Sequence, residues 1–320
     1  MPTILLGIPP DEVTAAQLAE IRALAPGYRL LISRDHAEME AALDDIEIVF
    51  DGFPRDLLAR APKLRWYQQG SAGVDWLLRH PELAAKDFIL TNGSGIHAVP
   101  ISEQIMAYCF ALARELPSAV HAQRERRWAR GEFNHVFELA GQTMLLIGVG
   151  AIGGRTAEIA KGIGMRVLGV RRNPEVAHPA VEAMYAPGRL LEALPLADWV
   201  VITAPYTPET KGMIGERELR AMKPTAYIVN IGRGATIQQA ALVRALQEGW
   251  IRGAGLDVTD PEPLPADSPL WDMPNVIITP HTSGRTPRRP ERAMALFLDN
   301  LGRYLRGEPM RNVVDKKLGY

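Results

Sequence analysis

The chain has 320 residues, enough for two domains with separate cores. Hydrophobic residues make up 47% and charged residues 23%, an ordinary globular balance, and a formal net charge of −1 excludes a broad electrostatic pull toward nucleic acid or an anionic membrane. No apolar run reaches the roughly 18 residues that span a bilayer, and the single cysteine, Cys109, excludes an internal disulfide or a cysteine metal cluster.

Residues 1–7 carry no basic n-region, so a cytoplasmic protein is expected. Apolar runs at 3–8, 29–33, 46–50, 64–68 and 88–91 read as strands, with helical patterns at 14–24, 39–43, 54–61 and 74–78 between them. This alternation predicts a parallel sheet with helices on both faces. Two connections follow strands and lead into helical patterns: Gln69-Gly70-Ser71-Ala72-Gly73 and Asn92-Gly93-Ser94-Gly95. Each either turns backbone N–H groups toward an anion or is a plain strand-to-helix connection.

Residues 100–115 form a strong helical pattern. Ile101, Ile105, Ala107, Cys109, Leu112 and Leu116 spread apolar groups over most of its surface, so burial or packing on a partner chain is expected. Pro117 ends that pattern, and a basic helix is predicted at 118–129. Its Arg124, Arg126 and Arg127 read as a solvated face rather than a nucleic-acid patch. Residues 100–129 read as the bridge to a second domain.

Six strands are expected from 141 to 280, at 144–147, 166–170, 199–203, 226–230, 253–256 and 276–279, a count that suits a doubly wound sheet. The first runs into Gly148-Val149-Gly150-Ala151-Ile152-Gly153 and then a helix. Strand, G-x-G-x-x-G, helix and strand together distinguish a dinucleotide fingerprint from chance glycines. Gly148 allows the tight turn, Gly150 lets the backbone approach a pyrophosphate, and Gly153 lets helix and strand pack closely. The helix N-terminus adds N–H groups and a positive dipole end. A last amphipathic helix is expected at 290–305, and 311–314 reads as a return to the first domain.

Ligands of an open parallel sheet bind beyond the carboxyl ends of its strands. The strand at 199–203 is followed by the uncharged loop Ala204-Pro205-Tyr206-Thr207-Pro208, and the strand at 226–230 by Ile231-Gly232-Arg233-Gly234. Asp257 follows the next strand, and Pro280-His281 the last. An Arg, an Asp and a His are thus expected on the edge that carries the glycine turn. Arg233, between two glycines, presents a planar fork for a carboxylate. His281 is the acid/base candidate, and Glu262 in Asp260-Pro261-Glu262-Pro263 is the carboxylate candidate beside it. None of the other six histidines has metal-ligand spacing with a neighbour, so no metal site is expected.

In order and register, these motifs resemble the D-isomer-specific 2-hydroxyacid dehydrogenases over essentially the whole chain. The 69–75 loop and the helix with Ser102 and Glu103 fit as well. The resemblance implies an α/β fold of two doubly wound parallel-sheet domains with the active site in the cleft. One is a Rossmann dinucleotide-binding domain at 101–283; the other is a flavodoxin-like substrate domain, discontinuous at 1–100 and 284–320. It implies that Arg233 binds the substrate carboxylate and carbonyl, that His281 is the general acid/base and that Glu262 is its partner. Ser71, Ala72 and Gly73 would join Arg233 and His281 at the substrate. Cofactor contacts fall on Gly148, Gly150, Ala151, Ile152, Gly153, Ala204, Pro205, Thr210, Ile231, Gly232 and Gly284, with Asp257 at the nicotinamide carboxamide. A homodimer through the dinucleotide domains would explain the apolar 100–115 helix.

One position departs from the NAD-binding pattern. An Asp or Glu about 20 residues past the glycines bonds the ribose 2′-OH; here Arg171 stands there, followed by Arg172. A guanidinium pairs with a 2′-phosphate, so NADP(H) is the expected cofactor, with NAD(H) the alternative if Arg171 stacks on the adenine. Arg285, Arg288 and Arg289 read as surface charge near the hinge or as partners for a second polar group of the substrate. The resulting expectation is an oxidoreductase that moves a hydride between NADP(H) and a small 2-oxo or D-2-hydroxy acid, of the glyoxylate/hydroxypyruvate reductase type. A formate- or phosphite-like small-anion dehydrogenase and a non-catalytic, cofactor-sensing dimeric interaction protein are the alternatives.

Overall fold

Short apolar runs broken by polar turns build parallel strands, and the computed structural model, which describes residues 1–319, gathers them into two units. One is Met1–His97 together with the segment from Thr286 onward; the other is Ala98–Arg285.

Among the described residues, the first unit has five strands: β1 (Thr3–Leu6), β2 (Arg29–Ile32), β3 (Ile46–Phe50), β4 (Trp66–Gln68) and β5 (Ile89–Thr91). All pair parallel in the order β2-β1-β3-β4-β5. This is the flavodoxin-like order. Helix α1 (Ala15–Leu24) starts at a capping box in which Thr14 Oγ1 accepts from the Gln17 N–H and Gln17 Oε1 from the Thr14 N–H. Helix α2 (His36–Ala41) starts earlier than the pattern at 39–43 suggested, because Asp35 caps it through the Glu38 N–H; residues 43–45 are a 3-10 turn. Helix α3 (Arg55–Arg60) follows β3. The helix expected at 74–78 is a 3-10 turn, Asp75–Arg79, and the short α4 (Pro81–Ala85) after it was not foreseen.

Side chains alternate across this sheet. Ile4 and Leu6 enter one core and Leu5 the other. The C-terminal helix, Arg289–Arg306, buries Ala293, Met294, Phe297 and Leu301, a stripe at helical spacing. The Phe297 ring lies 4.8 Å from Phe50 and 5.4 Å from Trp66, a contact whose loss on Phe→Ala costs about 3–5 kcal/mol. Asn300 Nδ2 donates to Gln68 Oε1 at 2.9 Å, and its Oδ1 accepts from the Arg311 N–H at 2.7 Å. Val313 then bridges antiparallel to Thr91.

The second unit opens with α5 (Ala98–Ala113) and α6 (Leu116–Arg124). Pro117 does not end the first of these. The break is Glu115, at φ 51°, and Pro117 sits in the first turn of α6, where a missing N–H costs nothing. The helix expected at 118–129 therefore begins and ends earlier. Among the described residues seven strands follow: β6 (Thr143–Ile147), β7 (Arg166–Val170), β8 (Ala183–Tyr185), β9 (Trp199–Ile202), β10 (Tyr227–Asn230), β11 (Gly253–Leu256) and β12 (Val276–Ile278). Six had been expected. The extra one, β8, is a three-residue strand at the edge of the sheet, half-buried throughout.

All seven pair parallel in the order β12-β11-β10-β9-β6-β7-β8. The order reverses between β6 and β9, and ligands of such sheets bind at that switch point. Helices α7 (Ala151–Gly162), α8 (Leu190–Ala193), α9 (Glu216–Ala221) and α10 (Gln239–Gln247) cover the faces. Trp199 and Val201 pack in the core with α5 and α7, while Val200 and Ile202 pack in the core with α9 and α10. Among the described residues no helix is long and apolar enough to cross a membrane.

Candidate active site

The turn after β6 is shaped by what a side chain would strike. Gly148 has φ 102°, and a Cβ there would lie 2.7 Å from the Ala204 nitrogen. A Cβ on Gly153 would lie 2.2 Å from the Gly148 carbonyl oxygen, so α7 approaches the turn this closely only with glycine. Thr203 Oγ1 donates to that same carbonyl at 2.5 Å. Gly150 is different. It is the N-cap of α7, no side chain caps it, and its Cβ would meet nothing within 4 Å. The first N–H groups of a helix have no acceptor inside it, so Ala151, Ile152 and Gly153 begin a helix whose N-terminal end faces open space. A pyrophosphate needs such a cradle, and the residues present fit a dinucleotide.

Past β7, Arg171 is half-buried and donates from its guanidinium to the Val176 carbonyl at 3.1 Å. Arg172 is exposed, 3.9 Å from Glu209. Past β9, Ala204 is buried, and Thr210 closes the loop by donating to the Pro205 carbonyl at 2.8 Å and accepting from the Thr207 N–H.

The ends of β10, β11 and β12 carry the reactive groups. Asn230, the last residue of β10 and 1% exposed, organises the Arg233 turn. Its Nδ2 donates to the Arg233 carbonyl at 3.0 Å, and its Oδ1 accepts from the Gly232 N–H at 3.1 Å. Ile231 is buried beneath, and the half-buried Arg233 donates to the Gly232 carbonyl at 2.8 Å. A Cβ on Gly234 would fall 1.9 Å from the Thr259 carbonyl oxygen. Glycine there seats the Arg233 turn against the loop that leads to Glu262.

His281 follows β12 and adopts φ 52°, a left-handed conformation that is rare outside glycine. Its Nδ1 lies 2.7 Å from Glu262 Oε1. A carboxylate only accepts, so Nδ1 carries the hydrogen and Nε2 is the atom left to exchange a proton. Asp257 is 1% exposed, and both of its carboxylate oxygens are engaged within the chain. They accept from Thr279 Oγ1 and from the Thr282 and Ser283 N–H groups, and the Asp257 carbonyl accepts from the His281 N–H at 2.9 Å. Asp257 was expected at the nicotinamide; what the structure shows is that its carboxylate holds the histidine turn. Gly284 ends that turn, half-buried. Because the strands are parallel neighbours, Arg233, Asp257 and His281 share one sheet edge. Arg233 and His281 start two strands apart, about 10 Å.

Ser71, Ala72 and Gly73 lie in the other unit, past β4. Their carbonyls are taken by the chain itself: Gln69 Nε2 donates to the Gly73 carbonyl at 2.6 Å, Asn92 Nδ2 to that of Ala72 at 2.8 Å, and the Gly93 N–H to that of Ser71 at 2.9 Å. In a trans peptide the N–H points opposite the C=O, so the Ala72, Gly73 and Val74 N–H groups face away from these donors. Gln69 is itself fixed by the Trp76 Nε1–H at 2.6 Å. Arg289 pairs with Asp51 at 2.9 Å, and Asp51 accepts from the Gly70 N–H beside the loop, so this arginine supports the loop rather than standing as loose surface charge.

Reading the sequence missed Thr203, Asn230, Gln69 and Asn92. Their shared signal is a hydrogen-bonding side chain at a strand end, followed by a glycine turn after Asn230, Gln69 and Asn92 and by Ala204-Pro205 after Thr203. Among the described residues no cluster of His, Cys, Asp or Glu is arranged to hold a metal ion.

A doubly wound sheet with a glycine turn at its switch point defines a dinucleotide-binding α/β protein. Residues 106–283 match the family model described as D-isomer specific 2-hydroxyacid dehydrogenase, NAD binding domain. The chain is 34% identical over 279 residues to a glyoxylate reductase of Korarchaeum cryptofilum, covering 85% of this chain and 82% of that one. It is 35% identical over 301 residues to a glyoxylate reductase of Aeropyrum pernix, covering 92% and 88%. An NADPH-dependent glyoxylate/hydroxypyruvate reductase from Sinorhizobium meliloti, solved with NADP and sulfate, superposes with a TM-score of 0.84 at 29% identity, covering 100% of this chain and 99% of that one. The chain belongs to the D-isomer-specific 2-hydroxyacid dehydrogenase family and is an oxidoreductase of that kind.

Proposed function

We propose that this protein is an NADPH-dependent reductase of small 2-oxo acids, with glyoxylate and hydroxypyruvate as its substrates, and that it works as a homodimer. The observation that carries the reading is the 2.7 Å contact between Glu262 and His281 Nδ1, on the sheet edge that also bears Arg233.

When bound, a reduced nicotinamide supplies the hydride. Reduction of a 2-oxo acid develops negative charge on the carbonyl oxygen, and the Arg233 guanidinium is a fixed cation for that charge. Glu262 holds the imidazole by Nδ1, so His281 delivers the proton from Nε2. The Ala72, Gly73 and Val74 N–H groups receive the substrate carboxylate. Arg171 and Arg172 at the end of β7 suit a 2′-phosphate, and the NADP-bound Sinorhizobium protein supports the same choice. The domain roles follow: the Met1–His97 unit would take the substrate and Ala98–Arg285 the dinucleotide. Support for the dimer comes from Phe110, Leu116, Val120 and Val136, apolar yet exposed on α5, α6 and the segment after them, and from Trp128 at 95% exposure.

NADPH and NADH oxidation over a panel of 2-oxo acids tests the reading. NADPH should be the better cofactor, and His281→Ala should lower kcat by about 10²–10⁴-fold with NADPH affinity retained. Absence of turnover on every 2-oxo acid overturns the reductase, a preference for NADH overturns the arginine assignment, and a monomer in sedimentation overturns the dimer.

A further inference from the structure

The His281 turn is held from an unexpected direction. We infer that Tyr108, on α5, is a positioning residue for His281, acting through Thr279 and Asp257 on the turn that carries the imidazole. The inference rests on the reading of His281 as the proton donor.

Thr279 Oγ1 donates its one hydrogen to Asp257 Oδ1. It therefore accepts from Tyr108 Oη, 2.5 Å away. The direction of the chain is fixed: Tyr108 O–H to Thr279 O–H to the Asp257 carboxylate, which also takes the Thr282 and Ser283 N–H groups at 2.9 and 3.0 Å. These two residues follow His281 directly. Asp257 also accepts the His281 N–H on its backbone carbonyl at 2.9 Å. The residue so enclosed has φ 52°. A side chain in that region costs of order 1 kcal/mol and persists where its surroundings over-determine it. Successive bonds in such a chain polarise one another, so the first donor affects the last acceptor.

A second observation shows that the position of Tyr108 is built in. Gly255, in the middle of β11, would place a Cβ 2.7 Å from Tyr108 Cγ. The ring lies against the strand only because that residue is glycine. Tyr108 is 1% exposed, on a face of α5 whose other buried members include Ile101, Ile105, Cys109 and Leu112. Phenylalanine would fill the same space, so the hydroxyl is the distinguishing group. Burial pushes its pKa up to about 12, which keeps it a donor across the working range.

The test uses the full-length enzyme with NADPH and the best 2-oxo acid. Tyr108→Phe should lower kcat about tenfold, as expected for a slightly displaced proton donor, with KM for the acid and Kd for NADPH unchanged. The imidazole Cε1–H NMR signal of His281, read at fixed pH, should move in Tyr108→Phe and in Thr279→Val. Thr279→Ser keeps the hydroxyl and should restore both signal and turnover. Melting curves confirm folding, and Thr279→Val carries the same readout if Tyr108→Phe does not fold. Wild-type kcat with an unmoved His281 signal in both variants overturns the inference. A wild-type enzyme inactive on every 2-oxo acid, whose His281 signal still moves in Tyr108→Phe, sinks the reductase reading and supports the positioning role.

Discussion

The turn after β6 and the loop after β4 both turn backbone N–H groups outward, and the chain shapes them by opposite means. Behind the first stands α7, twelve residues of helix, so the dipole and the free N–H groups come with the helix and the turn needs only glycines that keep side chains away. Behind the second there is only the five-residue 3-10 turn Asp75–Arg79. No helix of useful length aligns the peptides there. Two buried side-chain amides, Gln69 and Asn92, instead draw the carbonyls inward and leave the N–H groups facing the other way. A helix orients peptides for any sequence that forms one, whereas a loop without a helix needs a named donor for each carbonyl.

Three substitutions test that contrast, the largest effect first. Gly153→Val puts a branched side chain where a Cβ already lies 2.2 Å from the Gly148 carbonyl. It should cost about 3 kcal/mol or more in calorimetry and abolish NADPH binding, since α7 must move off the turn. An unchanged melting temperature would mean that the turn tolerates bulk and that glycine is there for another reason. Gln69→Leu keeps the volume, removes the loop's ties to Gln69, among them the one to the Gly73 carbonyl, and leaves the Trp76 indole N–H without its acceptor. About 2 kcal/mol of stability should be lost, and KM for the 2-oxo acid should rise, with NADPH affinity untouched. A variant with wild-type KM would show that the loop keeps its shape without the amide. Gly150→Ala should separate fold from function most cleanly. The added methyl meets no protein atom within 4 Å, so stability should stay within about 1 kcal/mol of wild type, while the methyl stands where the pyrophosphate would approach and weakens NADPH binding. Equal affinity in titration calorimetry would remove Gly150 from the cofactor's path.

The same contrast explains what was legible. The glycine turn and the alternation of strands and helices are local patterns, and they were sufficient for the two parallel sheets. Two short elements were not: β8 (three residues) and α4 (five) went unread, although β4, β5 and β12, equally short, lie within the apolar runs at 64–68, 88–91 and 276–279. Gln69 in the sequence is one polar residue before a glycine, and nothing nearby marks it as the donor to Gly73 or the acceptor for Trp76. Pro117 pointed to a helix end, but the left-handed Glu115 makes the break and the proline opens the next helix.

The sequence by itself determined the order of the strands along the chain, the fingerprint at β6, and the identity of the arginine, glutamate and histidine that follow later strands. All of these are written in stretches of about ten residues, where backbone preference and hydrophobic period act directly. Only the tertiary structure decided that Glu262 meets His281 Nδ1, that Asp257 faces inward to hold the histidine turn, and that Tyr108 reaches Thr279 from 171 positions away. Such contacts arise from the pairing order of the sheet and the packing of α5 on β11. Burial and side-chain volume select that packing, and no local pattern encodes it.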